Sequence, residues 1–372
     1  MFKATTKIPL LLHVVVDGPW GTTRAVEALV RGHTSAGHMA AMLVLRRSPS
    51  TTCGRLAALA REGLPVRLLP YKPNLWMMWR LRQLCREQRP DVLFAHGYSV
   101  HLWTRYAALA AGIPRIVHVE HNRENYPVHR LWQNRWLAGR TDRIVCVANG
   151  ITDRLRALGL PADKLTVIPN GLDLSPFRSA DRPFAARAQD LLMPARFSTQ
   201  KDHQTLLRAL ARLVGEGCHP SLMLAGGGKA KLQAACAALA ESLGIARQVT
   251  FLGVRQDVPE LLMRTKIMVL SSHCEGMPLA VLEGMAAGCA VVASDIPGVR
   301  EVVDHDRTGL LFPPGNATAL AAALKDLLGR PDRAQTLGAA AARQIAQHHS
   351  LAEMVDRYEA LAGQLLELET RR

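Results

Sequence analysis

Short apolar runs alternating with helix-length segments constrain this chain more than any other feature. In the first half the runs are Pro9 to Val16, Met39 to Leu45, Val66 to Pro70, Asp91 to Ala95, Arg115 to Val119, Arg143 to Val147 and Lys164 to Ile168. Helical spacing lies between them, as at Thr23 to Ser35 and Leu75 to Glu87. Runs that stay apolar at consecutive positions suit strands buried on both faces, which a parallel sheet covered by helices provides. The expectation is a doubly wound α/β domain. From Asn170 to Arg178 (NGLDLSPFR), and on to Arg187, the pattern breaks into turn residues and charges and reads as a linker. The alternation restarts at Leu191 to Ala195, Ser221 to Ala225, Gln248 to Leu252, Lys266 to Leu270, Ala290 to Ala293 and Gly309 to Phe312. Three more helices follow from Thr318 to the end. A chain of 372 residues exceeds one compact core. Two similar α/β domains facing each other across a cleft are the simplest architecture.

Charge separates the two halves. Residues 1 to 178 hold 25 Lys and Arg against 11 Asp and Glu, whereas residues 179 to 372 hold 21 against 20, so the net +15 belongs almost wholly to the first half. Such a half could face nucleic acid, an anionic membrane surface or an acidic acceptor. No run approaches the ~20 apolar residues of a membrane span. The start, MFKATTKIPLLLHVVVDG, imitates a signal peptide, but Asp17 stands where a small-residue cleavage site belongs, and the run makes sense as a first strand. Seven cysteines (Cys53, Cys85, Cys146, Cys218, Cys236, Cys274 and Cys289) are odd in number and form no C-x-x-C pair, which points to a reducing compartment without structural zinc. Cys274 reads better as a buried thiol than as a nucleophile, since no base is evident beside it.

The stretch Ser271 to Val292 carries the most local chemistry. Lys266 to Leu270 empties into a turn at Ser271, Ser272 and Gly276, and a helix follows. Pro278 suits the first helical position, leaving the amides of Leu279 and Ala280 aimed into the crevice at the strand's carboxyl end. Free amides there form an anion site. Glu283 lies one turn after Leu279 on the same helix face, where its carboxylate could meet the ribose of a ligand whose phosphates sit on those amides. The spacing equally permits an ordinary amphipathic helix with two solvated glutamates, Glu275 and Glu283.

Other segments decide between these readings. EGMPLAVLE (275 to 283) matches an E-x7-E signature, and KLTVIPNGLDLSPF (164 to 177) an N-G-[VIL]-D linker turn. ARFSTQKDHQTLLRAL (195 to 210) matches an R-x4-K phosphate motif, VTFLGVRQDVPELL (249 to 262) the segment around a nucleotide base, and ASDIPGVREVVDHDRTGLLF (293 to 312) a closing G-x2-E and G-x-L pattern. On these motifs the whole chain resembles a family 4 glycosyltransferase of the GT-B fold, two Rossmann-like doubly wound parallel-sheet domains facing a central cleft. The resemblance implies a retaining hexosyltransferase that uses a UDP- or GDP-sugar, needs no metal or other cofactor, and acts on a hydroxyl of a glycan or lipid-linked acceptor. Bacterial cell-envelope polysaccharide, such as lipopolysaccharide or exopolysaccharide, is the implied pathway, and the cytoplasm or the inner face of its membrane the implied place. Residues 1 to 175 would form the acceptor domain and 176 to 349 the donor domain, with the helix at about 350 to 372 packing back on the first.

The resemblance also implies roles. Arg196 and Lys201 would neutralise the departing diphosphate, Arg as a fork and Lys as a point charge. Members usually carry Gly after the Lys, where this chain has Asp202. Glu283 would bind the ribose, while Glu275 would contact the sugar and stabilise an oxocarbenium-like centre, with a nucleophilic role as the minor option. Gly276, Met277, Leu279 and Ala280 would contact the donor, and Gly253 and Val254 its base. In the first domain Gly18 and Gly21 stand where members carry a Gly-Gly pair, interrupted here by Pro19 and Trp20, and Gly21 is the better match. His121 resembles the family's loop histidine near sugar and acceptor. His96 holds the corresponding position one strand earlier, with a packing role favoured.

Several features point elsewhere. Asp304-His305-Asp306 looks like a metal-binding D-x-D but precedes Gly309 in a turn. Gly226-Gly227-Gly228-Lys229 lacks the first glycine and the hydroxyl of a phosphate loop, and reads as a close turn near the donor. The segment NLWMMWRLRQLCREQRP (74 to 90) could be an interfacial helix on anionic lipid, or a helix packing Trp and Leu on the sheet with arginines in water, the favoured reading. A nucleic-acid-binding role is the rival from another class, and lacks aromatic and basic interleaving on a sheet. A non-catalytic scaffold is the third, against which Arg196, Lys201, Glu275 and Glu283 are all present.

Overall fold

The structure, a computed structural model, describes residues 8–18, 21–47, 53–71, 73–98, 100–177 and 184–370. The leader-like start (1–7), Pro19, Trp20 and residues 178–183 of the expected linker lie outside them. The first seven strands are β1 (Leu10–Val16), β2 (Ala40–Arg46), β3 (Val66–Leu69), β4 (Val92–His96), β5 (Arg115–Glu120), β6 (Arg143–Cys146) and β7 (Leu165–Val167). Between them run α1 (Gly21–Ala36), α2 (Cys53–Arg61), α3 (Asn74–Gln88), α4 (His101–Ala111), α5 (Val128–Ala138) and α6 (Asn149–Ala157). All pairings are parallel, in the order β3-β2-β1-β4-β5-β6-β7.

The second set is β8 (Gln189–Pro194), β9 (Leu222–Ala225), β10 (Val249–Gly253), β11 (Thr265–Leu270), β12 (Ala290–Ser294) and β13 (Leu310–Phe312). Its helices are α7 (His203–Gly215), α8 (Ala230–Ser242), α9 (Val258–Met263), α10 (Leu279–Ala286), α11 (Pro297–Arg300), α12 (Ala317–Gly329) and α13 (Pro331–His348), followed by α14 (Leu351–Thr370). This sheet is also wholly parallel, ordered β10-β9-β8-β11-β12-β13. The expected strands differ from the observed ones only by a residue or two at their ends, where hydrogen bonding and apolar character part company.

The chain divides into two compact units, Met1–Gly171 with Leu351–Arg372, and Leu172–Ser350. Each has its own core. In the first unit α1, α2 and α14 pack on one sheet face through Val26, Leu29, Leu59 and Tyr358. On the other face Met77, Leu81 and Ala107 bring in α3 and α4. In the second unit Leu206, Leu210, Leu224, Val269 and Leu324 belong to a single cluster. The ends of the second unit meet: Leu172 N donates to His349 O at 2.8 Å, and Leu172 bridges Ser350.

Helix α14 is joined to the first unit by polar contacts as well as by its apolar stripe. Glu359 takes His33 Nδ1 at 2.9 Å on one oxygen and His38 Nδ1 at 3.1 Å on the other, and Arg115 Nε donates to Leu365 O at 2.7 Å. Tyr358, 2% exposed, meets Phe94 edge-on at 5.5 Å. Tyr358→Ala is therefore expected to destabilise the first unit by about 3–5 kcal/mol, the usual cost of truncating a buried aromatic. Hydrogen exchange read by mass spectrometry checks this: amides of β1, β4 and α1 lose protection while those of β8 to β13 do not.

Candidate functional site

A sheet of order 3-2-1-4-5-6 opens a crevice at the carboxyl ends of the two strands where its connections reverse direction. In the second unit those strands are β8 and β11, paired through Leu191↔Ile267 and Leu192↔Met268. Arg196 and Lys201 follow β8, and Glu275, Gly276 and Met277 follow β11, so the winding of the chain brings both motifs to one edge.

Hydrogen bonds stitch the two loops together. Ser271 Oγ, buried at the end of β11, donates to Asp202 O at 2.9 Å and lies 3.2 Å from Lys201 O. His273 N donates to Gln200 O at 2.8 Å, and Gln200 Nε2 to Cys274 O at 2.6 Å. This zipper sets the Lys201 ammonium against Glu275 Oε1, and the two form an ion pair. Glu275 is 8% exposed and Glu283 2%, so neither is a solvated surface glutamate. A carboxylate removed from water needs a charged or hydrogen-bonding partner. Lys201 is that partner for Glu275.

The helix behind this loop starts one residue later than the sequence suggests. Pro278 is the cap, with φ −76 and ψ 110, and Leu279 is the first helical residue. The amides of Val281 and Leu282 reach back to Pro278 O at 3.0 and 3.3 Å, so half-buried Leu279 and Ala280 remain the first-turn amides that precede any intrahelical acceptor. Gly276 and Met277 are buried. The exposed residue of the loop is Cys274, contrary to the buried thiol expected, because the zipper engages its carbonyl and turns its side chain outward.

Two glycine contacts shape the site. A Cβ on Gly298, the glycine of the G-x2-E pattern, would lie 1.8 Å from Gly276 O and 2.6 Å from Glu275 O, so α11 can approach the glutamate loop only with glycine there. Likewise a Cβ on Gly226 would sit 2.2 Å from Ala195 O, and one on Gly228 2.5 Å from Phe197 O. The glycine run packs on the backbone either side of Arg196, with Phe197 N donating to Gly227 O at 2.7 Å. Gly253 ends β10 at φ 65 after a register shift, its carbonyl accepting from Gly226 N at 2.8 Å, and leaves Val254 61% exposed beside Gly227.

Arg196 itself is exposed. The sequence reading missed His203, which stacks on Phe197 at 4.4 Å and bonds the Ala195 backbone. Burial lowers its pKa to about 4, so the ring is neutral at pH 7. The signal was present as a histidine directly after the Lys-Asp pair. Asp202 occupies the left-handed region at φ 43 and ψ 53, where glycine fits most easily. Its carboxylate offsets that cost by capping α7, accepting from Thr205 N at 3.3 Å and Thr205 Oγ1 at 2.6 Å.

In the first unit the reversal falls between β1 and β4. Gly18 follows β1, and Gly21, exposed, opens α1. His121 follows β5 and joins a chain of rings: His121 Nε2 lies 3.0 Å from His96 Nδ1, and His96 Nε2 3.0 Å from His13 Nδ1. His96 is thus the link between β1 and the His121 loop rather than packing alone. His13, missed in the sequence, is the single polar residue of the buried run LLLHVVV. Burial lowers His121 to about 4 and holds His13 and His96 well below 6.5, so all three are neutral at pH 7. Beside them Glu120 is buried, accepts a hydrogen bond from Tyr126, and is pushed by burial up to about 8. Among the described residues no group of three or more His, Cys, Asp or Glu is placed to hold a metal ion. Asp306 of the D-x-D triplet pairs with Arg333 instead.

Two doubly wound units, one with the Lys201–Glu275 ion pair at its switch point, define an α/β protein of the GT-B type. Residues 20–176 match the family described as Glycosyltransferase Family 4, and residues 178–344 that described as Glycosyl transferases group 1. The D-inositol 3-phosphate glycosyltransferase of Streptomyces scabiei is 30% identical over 325 residues, covering 78% of this chain and 71% of that one. The UDP-Gal:alpha-D-GlcNAc-diphosphoundecaprenol alpha-1,3-galactosyltransferase of Escherichia coli is 26% identical over 250 residues, 62% of this chain and 65% of that enzyme. Among solved structures, Anabaena Alr3699/HepE in complex with UDP and glucose superposes with a TM-score of 0.83 at 18% identity, covering 96% of this chain and all of that one. The chain belongs to glycosyltransferase family 4, and its fold is GT-B.

Two outcomes test the geometry. Gly298→Ala must push the Glu275 loop away, and is expected to destabilise the second unit by about 1–3 kcal/mol, as overpacking does; thermal unfolding measures it. Glu120 titrates near 8 folded and near 4.5 unfolded, so the folded state holds the extra proton between those values and stability falls as pH rises through the window. Glu120→Gln, which stays neutral and still accepts from Tyr126, is expected to flatten that fall. Melting temperatures between pH 5 and 9, taken in steps of about one unit, check it.

Proposed function

We propose that this glycosyltransferase moves a hexose-type sugar from a UDP- or GDP-sugar to a hydroxyl of a glycan or lipid-linked acceptor, with retention of anomeric configuration. The reading is carried by one observation: Lys201, paired with buried Glu275 and stitched to it through Ser271, stands at the switch point that the Leu279 and Ala280 amides also reach. A diphosphate leaving group builds negative charge as the glycosidic bond breaks, so cations and amides fixed in advance at that point do most of the catalytic work. Lys201 has three donors and can keep Glu275 on one while meeting phosphate with another. Arg196 adds a fork for the second phosphate. Glu283, buried one turn into α10, is the carboxylate assigned to the ribose, whose hydroxyls can donate to it.

Glu275 has the sugar side of the site, where its charge stabilises an oxocarbenium-like centre. In this front-face scheme the leaving phosphate takes the acceptor proton, and no metal enters, because Arg196, Lys201 and the helix amides already oppose the charge. Gly253 and Val254 would border the base, and Gly276 and Met277 the sugar. The named activities of the relatives support the class: one acts from UDP-Gal on a diphosphoundecaprenol-linked sugar, and a structural neighbour holds UDP and glucose. The diphosphoundecaprenol-linked acceptor of the first fits cell-envelope polysaccharide synthesis.

Glu283→Ala is expected to weaken UDP- or GDP-sugar binding by roughly 10- to 100-fold in calorimetry, the cost of leaving ligand hydroxyls unpaired. Lys201→Ala should lower kcat by about 10²–10³ with a smaller effect on affinity. Unchanged affinity in the first case would remove the ribose assignment, and an inverted product anomer by NMR would remove the mechanism. Transfer should persist in EDTA; loss of activity restored by a divalent ion would show that the cations named here are insufficient.

A further inference from the structure

Helices α3, α4 and α5 lie side by side on one face of the first unit's sheet, α3 packing on α4 and α4 on α5. Met77, Leu81 and Leu84 of α3 and Ala107 and Ala108 of α4 account for the inner surface. The outer surface is unusual. On α3, Leu75, Trp76 and Trp79 are 67%, 38% and 48% exposed; on α5, Val128, Trp132 and Trp136 are 86%, 70% and 41% exposed. The favoured expectation that the α3 tryptophans pack on the sheet is overturned, because Met77 and Leu81 fill that side and leave Trp76 and Trp79 on the opposite one.

Helix α4 joins the two sets. Tyr106 lies 5.8 Å from Trp136 and 6.3 Å from Trp103, while Trp76 and Trp79 stack at 5.6 Å. Among the described residues, the large exposed hydrophobics of the second unit are only Leu243 and Val254. Scattered apolar residues need no explanation, but a row of indoles across neighbouring helices does.

Charge selects the partner. Helix α3 carries Arg80, Arg82 and Arg86 and α5 carries Arg130 and Arg135, while the three helices together hold one carboxylate, Glu87. The guanidiniums interleave with the rings: Arg80 lies 5.9 Å from Trp76 and from Trp79, and Arg140, just past α5, sits 3.8 Å over Trp136. Protein interfaces also enrich Trp and Arg, so it is the shortage of carboxylates beside these five arginines that favours a partner which is itself anionic throughout. The headgroup layer of an anionic bilayer takes both components at once, indoles at the level of the glycerol and guanidiniums on lipid phosphate.

We propose that the α3–α5 face docks on an anionic phospholipid bilayer. Leu75 and Val128, in the first turns of α3 and α5, lead into the interface. Those turns begin where β3 and β5 end, so docking brings the carboxyl edge of the sheet, which carries His96 and His121, close to the lipid surface. No helix among the described residues is long and apolar enough to cross a membrane, so the contact is a surface one. The surface stands on its own observations and does not depend on the donor site.

Sedimentation of the full chain with phosphatidylglycerol-containing vesicles, against pure phosphatidylcholine, tests it. Binding should favour the anionic vesicles by at least ~10-fold and weaken with salt. The triple variant Trp79→Ser, Trp132→Ser, Trp136→Ser, all exposed positions, should lose that binding while keeping its melting temperature. Arg80→Glu with Arg140→Glu should lose it through charge alone. Sugar-nucleotide binding, measured on the same variants, should not change, so failure of the donor assignment and failure of docking read out separately. No binding of the parent chain to anionic vesicles, or equal binding by the variants, overturns the proposal. A dimer in analytical ultracentrifugation that the tryptophan substitutions dissolve also overturns it, and assigns the face to contact between copies.

Discussion

The pairing of buried Glu275 with Lys201 is the interaction on which the rest of the second unit's site depends. A carboxylate at 8% exposure is costly unless a cation stands against it, and the cation comes from a loop after a different strand. The pair therefore requires β8 and β11 to be neighbours with their carboxyl ends level, which the parallel order provides. Ser271 makes the requirement specific, since one hydroxyl contacts the carbonyls of both Lys201 and Asp202. Gly298 and the Gly226 to Gly228 run complete the arrangement by letting two further backbones close on the same loops.

These constraints explain which parts of the molecule were legible in the sequence. Strands such as β4 and β11, buried at nearly every position, leave continuous apolar runs because residues on both faces meet helices. Their order in the sheet follows from right-handed crossovers, so the meeting of Arg196, Lys201 and Glu275 at one edge could be anticipated from the alternation and the motifs. The side-chain partners could not. Nothing local in KDHQ or SSHCE shows that Ser271 reaches the Lys201 loop, because that bond depends on how far each loop runs past its strand.

The first unit was less legible for a different reason. Several of its titratable residues are inside: His13, His96, His101, His118 and Glu120 are each at 1% exposure or below. One histidine in a buried strand looks like any satisfied core residue. Only the pairing of β1 with β4 and of β4 with β5 stacks their positions into a connected chain. Conversely, the apolar content of α3 and α5 exceeds what the sheet can cover. Periodicity reports that a helix has an apolar face, not whether a second apolar face is left over, so the sequence left both readings of the α3 indoles open until neighbouring helices had taken their places.

The His13–His96–His121 chain has a chemical consequence of its own. Each neutral ring carries one proton, so the three must be polarised in a single direction: either His13 donates to His96 and His96 to His121, or the reverse. In the first arrangement His121 presents Nδ1–H outward; in the second it presents a lone pair there and His13 carries an N–H at Nε2. Both end atoms are buried without a partner, and a buried orphan N–H is the costlier defect. The ring chain is therefore balanced until something occupies the His121 end. An acceptor oxygen of a bound molecule would select the first arrangement and a hydroxyl donor the second, with the protons on all three rings moving together. With its pKa lowered to about 4 by burial, His121 is neutral at pH 7, and the sense of its outer hydrogen bond is tied to the other two rings.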